Sequence, residues 1–209
     1  VELSKLEGAS SYSLELPASY LSSGKSDIKI EIRTPIATLE APGNMFASGN
    51  LTGVSNIEMI LGTASKSNIN TDLQQRIGNR PVIEISAKAG NKTIEWNNSD
   101  SPVVVKLPYI LTTEEQDIPE LLEVFEINDQ GEAVVLPEAW YNSSAQQMIF
   151  TISGFNKYAL AFYKKSFDDL QNHEWARKYI EFMASKGVIK GTSDTTYSPQ
   201  HNIKRADFM

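Results

Sequence analysis

Acidic side chains that lie close together in the sequence are the first candidates for chemistry: Glu114, Glu115, Asp117 and Glu120. Two neighbouring carboxylates act as a general acid and a general base when apolar surroundings raise the pKa of one of them. This cluster lies in a turn-rich connection that has no such surroundings. We therefore expect a solvated loop rather than a catalytic pair.

Other patterns that carry catalysis or bind metals are missing from the sequence. His173 and His201 do not have the spacing of metal ligands, and the absence of cysteine excludes thiolate nucleophiles, thiolate metal sites and disulfides. Asp194 alone does not make a calcium site, which needs roughly six to eight oxygen ligands, so we expect it to form an Asx-type turn. Neither the G-x-S-x-G nor the G-x-x-x-x-G-K motif occurs. We expect no enzyme activity, no metal site and no cofactor.

Three aromatic side chains, Trp96, Trp140 and Tyr141, are candidates for a sugar-binding platform, because aromatic rings present flat apolar faces. Aromatic residues in strands more often belong to the core or to the corners of the fold. We expect the second role for these three.

The composition indicates a folded, acidic chain. Of 209 residues, 41% are hydrophobic and 22% are charged, and the net charge is -7. Nucleic acid and anionic lipid both attract basic surfaces, so neither is expected as a partner. No apolar stretch approaches the roughly 20 residues that a membrane span needs.

Residues 1–165 show alternation with period two, interrupted by Gly, Pro, Asn, Ser and Asp, which predicts successive strands. In residues 27–33, for example, Ile28, Ile30 and Ile32 share one face of a strand. About ten short strands at this spacing predict a mainly β fold, a β-sandwich. The predicted strands are residues 10–16, 27–33, 56–63, 82–88, 93–96, 103–107, 121–127, 133–136, 148–153 and 158–163.

Three local signals refine this β half. Residues 128–131, Asn-Asp-Gln-Gly, predict a hairpin turn, because these residue types tolerate positive φ angles. Pro17, Pro108 and Pro137 each end an apolar run. Residues 71–77 are the one predicted helix of this half, with Thr71 as its N-cap and Gly78 as its stop.

After Lys165 the period changes to that of a helix over residues 174–186, which Gly187 ends. Asp168 or Asp169 is expected to cap a turn before this helix. Its apolar side chains cover an arc of about 200°, wider than the roughly 100° of an ordinary surface helix, so we expect it to pack against more than one neighbour. These side chains are Trp175, Ala176, Tyr179, Ile180, Phe182, Met183 and Ala184.

The tail contains five motif elements in order: Phe167-Asp168-Asp169, Trp175-Ala176, Gly187-Val188-Ile189-Lys190-Gly191, Tyr197-Ser198-Pro199 and Ile203-Lys204-Arg205-Ala206-Asp207. This segment, residues 166–209, resembles the S-layer homology family. The resemblance implies a helix, a loop and a second helix in each repeat. It also implies that three repeats associate, and that their grooves hold a pyruvylated secondary cell wall polysaccharide. We therefore expect an extracellular protein of the cell wall or S-layer, attached non-covalently.

Two positions depart from the family pattern. Lys204 replaces a Thr that would cap the second helix, and Thr195 replaces a Gly in the loop. The second helix is also cut off at its start. Because three repeats associate in the family, we expect two further copies of the pattern beyond Met209 or elsewhere in the gene. Neighbouring repeats are expected partners, as is a second copy of the chain through the incomplete helical segment.

The resemblance also suggests which residues contact the polysaccharide. A pyruvate ketal carries a carboxylate, which the Arg205 guanidinium can bind with two parallel hydrogen bonds; the alternative for Arg205 is a structural ion pair. Lys190 and Lys204 add positive charge, although solvated surface lysines are the simpler interpretation of both. Trp175 offers a flat face to a sugar ring, but its place on the apolar arc favours core packing.

Residues 1–165 resemble, less specifically, a β-sandwich module of Gram-positive surface proteins. The matching pieces are residues 80–85, 102–109, 140–142 and 155–160. The resemblance implies a spacer or display domain without catalytic activity. An alternative function stays open, in which the chain is a carbohydrate-binding accessory module of an extracellular polysaccharide-degrading enzyme.

Overall fold

The computed structural model describes residues 1–47, 51 and 53–202. The chain divides into two compact units, Val1–Ala161 and Phe162–Met209. The first unit is a β-sandwich and the second is helical. None of the helices in the described ranges combines the length and apolar character that crossing a membrane would require.

Twelve strands form two antiparallel sheets in the described part of the chain. The larger sheet has the order β1-β4-β5-β12-β8-β9, with β6 also paired to β5, and the smaller has the order β10-β11-β7-β3-β2. The strands are β1 Ser11–Pro17, β2 Lys29–Arg33, β3 Thr38–Pro42, β4 Asn56–Thr63, β5 Val82–Ala89, β6 Lys92–Ile94, β7 Val103–Pro108, β8 Leu122–Ile127, β9 Ala133–Val135, β10 Trp140–Asn142, β11 Gln147–Ile152 and β12 Lys157–Phe162. The mainly β sandwich predicted from the sequence is confirmed.

The sandwich core consists of alternate side chains on the inner face of each sheet, because successive strand residues point to opposite faces. In the smaller sheet one buried row runs Phe150, Val105, Leu39 and Ile32 across paired positions. In the larger sheet a matching row runs Tyr12, Leu61 and Ile85. The period-two pattern of the sequence is thus the pattern of burial.

Helix α1, Thr71–Ile77, covers the outer face of the larger sheet. Its buried Leu73 and Ile77 pack in one cluster with Val82, Phe125, Ile127, Ala159 and Ala161. The Asn70 side chain, not Thr71, caps the helix by accepting the Leu73 N–H at 2.9 Å. Gly78 ends it with φ 53°, as predicted.

Short elements account for what the sequence interpretation missed. Strands β3 and β10 were not predicted, and neither was helix α2, Thr113–Asp117. Ala41 is an inner residue of β3, and Ala37 is buried directly before the strand. Both side chains are small and give a weak hydrophobic signal in the sequence. The predicted hairpin is present, since Gly131 has φ 83° and the turn joins β8 to β9.

Candidate functional site

Helix α3, Glu174–Ser185, is the main element of the second unit. Gly187 ends it with φ 72°, a backbone angle that is unfavourable for residues with a side chain but not for glycine. The Gly187 N–H donates to the Ala184 carbonyl at 3.0 Å, and the Val188 N–H donates to the Met183 carbonyl at 2.9 Å. These bonds satisfy the carbonyls that a helix end leaves open. The predicted stop at Gly187 is confirmed.

The buried face of α3 is polar. Glu181 and Ser185 are buried, one turn apart on the helix. The Ser185 hydroxyl accepts the Lys165 N–H at 2.7 Å and donates to the Glu181 carbonyl at 2.6 Å. The Glu181 carboxylate accepts the Phe167 N–H at 3.4 Å. Side chains of the helix thus hold the backbone of the segment that precedes it.

Part of the apolar arc of α3 lies at the surface instead, while Ala176, Ile180, Phe182 and Ala184 are partly buried. Trp175 is 81% exposed and Tyr179 is 72% exposed, and Met183 is also exposed. The expectation that Trp175 packs in a core is therefore wrong for this structure. The physical reason is that the helix turns Glu181 and Ser185 inward, where they bond with backbone groups, and this leaves Trp175 and Tyr179 on the outward side.

The first motif of the tail forms a small aromatic core. Phe167 and Leu170 are buried, and the Phe167 ring lies 5.6 Å from the Tyr197 ring, centroid to centroid. Gly191 packs against the same ring so closely that a Cβ there would lie 2.5 Å from Phe167 Cε1 and 2.4 Å from the Thr196 carbonyl oxygen. Only glycine fits at that position. Three separate motif elements therefore meet at one point.

Asp169 has a role that the sequence interpretation did not assign. Its carboxylate accepts the Tyr197 N–H at 2.9 Å and the Ser198 N–H at 2.7 Å, rather than capping the turn Asp168–Leu170. The bond from Tyr197, followed by that from Ser198, lowers the pKa of Asp169. These bonds hold the loop at Ser198, whose φ of 62° is unusual for a residue with a side chain. Asp169, the last residue of the motif element Phe167-Asp168-Asp169, therefore binds the loop at Tyr197 and Ser198.

The loop between Gly191 and Pro199 is rich in hydroxyl groups. The Ser193 hydroxyl accepts the N–H of Thr195 at 3.3 Å and of Thr196 at 3.1 Å. Ser193, not Asp194, is therefore the turn-forming residue, and the Asx-type turn predicted at Asp194 is wrong. The Asp194 side chain is fully exposed and lies 3.8 Å from Lys165 Nζ.

The structure describes two of the proposed polysaccharide contacts, Trp175 and Lys190, and both are exposed. Lys204 and Arg205 lie outside the described residues. The local geometry of the predicted ligand groove therefore stays a prediction.

In the β-sandwich, Glu115 lies in helix α2 and is completely buried, so the solvated loop predicted there is wrong for this residue. Its carboxylate accepts Arg80 Nε at 2.6 Å, the Tyr109 hydroxyl at 2.8 Å and the Thr112 N–H at 2.7 Å. Burial pushes the pKa of Glu115 upward, but the Thr112, Tyr109 and Arg80 bonds outweigh it and the net shift is downward. Burial and the bond to Glu115 raise the pKa of Tyr109 to about 12. A carboxylate held ionised in this way is a structural group rather than a general acid.

The three aromatic candidates of the sandwich separate in the structure. Trp96 is buried beside Phe46 and Phe155, and its N–H donates to the Met45 carbonyl at 2.8 Å. The Tyr141 hydroxyl donates to the Tyr109 carbonyl at 2.9 Å. Trp140, in contrast, is 52% exposed, so the expected core or corner role is wrong for it. The three do not form a common platform.

Among the described residues, no group of three or more His, Asp or Glu side chains is arranged to hold a metal ion.

Comparison with known proteins shows which family the helical unit resembles. The family described as S-layer homology domain matches residues 166–209. The cellulosome-anchoring protein of Acetivibrio thermocellus is 50% identical over 44 residues, which are 21% of this chain and 10% of that protein.

Two enzymes also match part of the chain. Amylopullulanase of Thermoanaerobacterium thermosulfurigenes is 34% identical over 67 residues, 32% of this chain and 4% of the enzyme. Endo-1,4-beta-xylanase A of Thermoanaerobacterium saccharolyticum is 42% identical over 43 residues, 21% of this chain and 4% of the enzyme. The matches thus span a tenth or less of the length of these relatives. Residues 166–209 belong to the S-layer homology domain family, whose members are bacterial cell-surface proteins.

Proposed function

We propose that residues 166–209 help to anchor the intact protein, non-covalently, to a pyruvylated secondary cell wall polysaccharide, while the β-sandwich acts as a spacer or display module without catalytic activity. The observation that carries this proposal is the family match at residues 166–209. The packing of Phe167, Gly191 and Tyr197 supports it, because separate motif elements that meet in one core act as one folded unit. The name of the cellulosome-anchoring relative points to the same role.

Arg205 is the proposed contact for the pyruvyl carboxylate, since a guanidinium binds a carboxylate with two parallel charge-assisted hydrogen bonds. Lys190 and Lys204 add positive charge around it. The exposure of Trp175 supports a place for this ring against a sugar, because its indole face is open to solvent.

Neighbouring S-layer homology repeats are the proposed protein partners. Tyr179 and Met183 are exposed apolar side chains of α3, and such a surface favours association. A second copy of this chain is the corresponding partner for self-association through the helical segment.

Cosedimentation of the full-length gene product with purified walls tests the anchoring. We expect binding to native walls, loss of binding on walls stripped of pyruvate, and a loss of similar size for Arg205→Ala on native walls. Arg205→Lys is the matched control, because it keeps the charge but not the two parallel bonds, and should fall between the two. Equal binding by all three proteins on both kinds of wall would remove Arg205 and the pyruvyl group from the proposal.

A further inference from the structure

The outer face of the five-stranded sheet carries a row of side chains that crosses every strand. Directly paired residues of antiparallel strands point to the same face. The pairings Trp140 with Ile149, Ile149 with Lys106, Lys106 with Thr38 and Thr38 with Arg33 therefore define one continuous row. Its ends are separated by four strand spacings, or about 19 Å.

A second row runs parallel to the first, two residues further along the strands. It consists of Thr151, Val104, Glu40 and Glu31. The buried row of Phe150, Val105, Leu39 and Ile32 lies on the opposite face, which confirms that both of these rows point away from the sandwich core. The outer face is thus a mixed surface of aliphatic, hydroxyl and charged side chains with an exposed indole at one end.

The charges of this face neutralise one another. Lys106 forms an ion pair with Glu40, and Arg33 forms an ion pair with Glu31 at 2.8 Å. At the ends of the face, Lys29 begins β2 and Glu138 precedes β10, and their charges are opposite in sign. The face therefore offers hydrogen-bonding groups without a net field that would select an anion or a cation.

A groove of about 290 Å³ adjoins the outer face at Thr151, a residue of the second row. Its walls include residues 136–139, which lead directly into Trp140, and residues 151–153, which continue β11 past Ile149. Ser99, Thr151 and Ser153 bring hydroxyl groups to the groove, Glu138 brings a carboxylate, and Pro102 and Pro137 bring apolar surface. Thr151 thus belongs both to the second row and to the groove.

We propose that this outer face, together with its groove, is a binding site for an uncharged polysaccharide, with Trp140 stacking against one sugar ring. A neutral glycan chain has apolar C–H faces and hydroxyl edges, which match an indole plane followed by neutralised polar side chains. A charged glycan or a nucleic acid would need a field of one sign, which this face does not have. A protein partner would need a larger apolar centre than one exposed indole. The site lies outside residues 166–209 and goes beyond the wall anchoring proposed above.

The test is affinity gel electrophoresis of the full chain in gels that contain pullulan, laminarin, barley β-glucan or glucomannan, with polygalacturonate as the charged comparison. We expect retardation by at least one neutral polysaccharide and none by polygalacturonate. Trp140→Ala should weaken that binding about tenfold or more, since it removes the apolar area that the sugar covers. Trp140→Phe should retain most of the binding. Tyr20→Ala is the matched control, because Tyr20 is an exposed aromatic residue of the same unit that lies outside both sheets, and it should bind like the unchanged chain.

Thr151→Arg is a second variant, which fills the mouth of the groove without altering Trp140. It should weaken binding as well. Circular dichroism verifies the fold of each variant. The proposal is overturned if no neutral polysaccharide retards the chain, or if Trp140→Ala and Thr151→Arg bind as well as the unchanged protein. It is also overturned if binding is lost in Tyr20→Ala instead. If light scattering shows a dimer that dissociates in Trp140→Ala, the outer face binds a second copy of the chain rather than a glycan, and the proposal is overturned.

Discussion

Replacing Glu115 probes the buried polar network of the sandwich. The Glu115 side chain is 0% exposed, and it is the common acceptor for Arg80, whose side chain is 16% exposed, and for Tyr109 and Thr112. Glu115→Ala removes one partner of a buried ion pair, which costs about 3–5 kcal/mol of unfolding free energy. We expect the lower end, about 3 kcal/mol, because Arg80 Nη1 keeps its bonds to the carbonyls of Arg76 and Ile77.

The measurement is urea unfolding at pH 7, followed by far-ultraviolet circular dichroism of the strands. Glu115→Gln keeps the shape but removes the charge, and should cost about 2 kcal/mol, the range of hydrogen bonds to charged groups. Glu114→Ala is the matched control, because Glu114 is the exposed neighbour in the same helix turn, and should change stability by less than about 0.5 kcal/mol.

The effect of Glu115 should also depend on pH. Its hydrogen bonds lower its pKa in the folded state below the unfolded value of about 4.3. Its contribution is therefore complete above about pH 4.3 and is lost as the pH falls through the folded pKa. The stability difference between the unchanged chain and Glu115→Gln should shrink over that acid range. A difference below about 1 kcal/mol at pH 7, or one that is the same at pH 3, would refute the reasoning.

Three further predictions concern single positions. Gly191→Ala should destabilise the helical unit by about 1–3 kcal/mol, since its Cβ would overlap the Thr196 carbonyl, and limited proteolysis after residue 165 should become faster. Asn70→Ala should cost about 1 kcal/mol in thermal unfolding and Thr71→Ala much less, because Asn70 is the cap of α1; the reverse order would contradict the assignment. The Tyr197 amide proton should titrate in nuclear magnetic resonance with a midpoint below the ordinary Asp value of about 3.9, as the lowered pKa of Asp169 requires, and Asp169→Asn should abolish that titration. A midpoint at or above that value would count against the carboxylate bond.

Local patterns in the sequence predicted most of the sandwich, because alternation and turn chemistry act over a few residues. The strands at 56–63 and 103–107, the turn at 128–131 and the stops at Gly78 and Gly187 all depend on such short-range rules. Strand β3 was not predicted because it has five residues and its inner positions hold only one large apolar side chain, Leu39, beside the small Ala41. Helix α2 was not predicted because it spans only five residues.

The candidate sites were harder to predict, because long-range contacts decide them. Glu115 is buried because Arg80 meets it from 35 positions away, and no local pattern reports that pairing. The apolar arc of α3 suggested burial for Trp175, but the helix buries the polar face that bonds to Lys165 and Phe167. Periodicity predicts that a helix has two faces, while partners elsewhere in the chain decide which face is covered.

The edge strands of the two sheets determine whether copies of the protein that are crowded at a cell surface aggregate. The edge strands β6, β9 and β10 have only three residues each, and β1 points Ser11, Ser13 and Glu15 away from the buried Tyr12 and Leu16. At the β2 edge, the Leu3 N–H donates to the Arg33 carbonyl at 2.8 Å, so that this segment covers the end of β2. Long, flat, unpaired edges recruit strands from other molecules. Truncated, polar and covered edges should let many copies stand side by side without merging their sheets into aggregates.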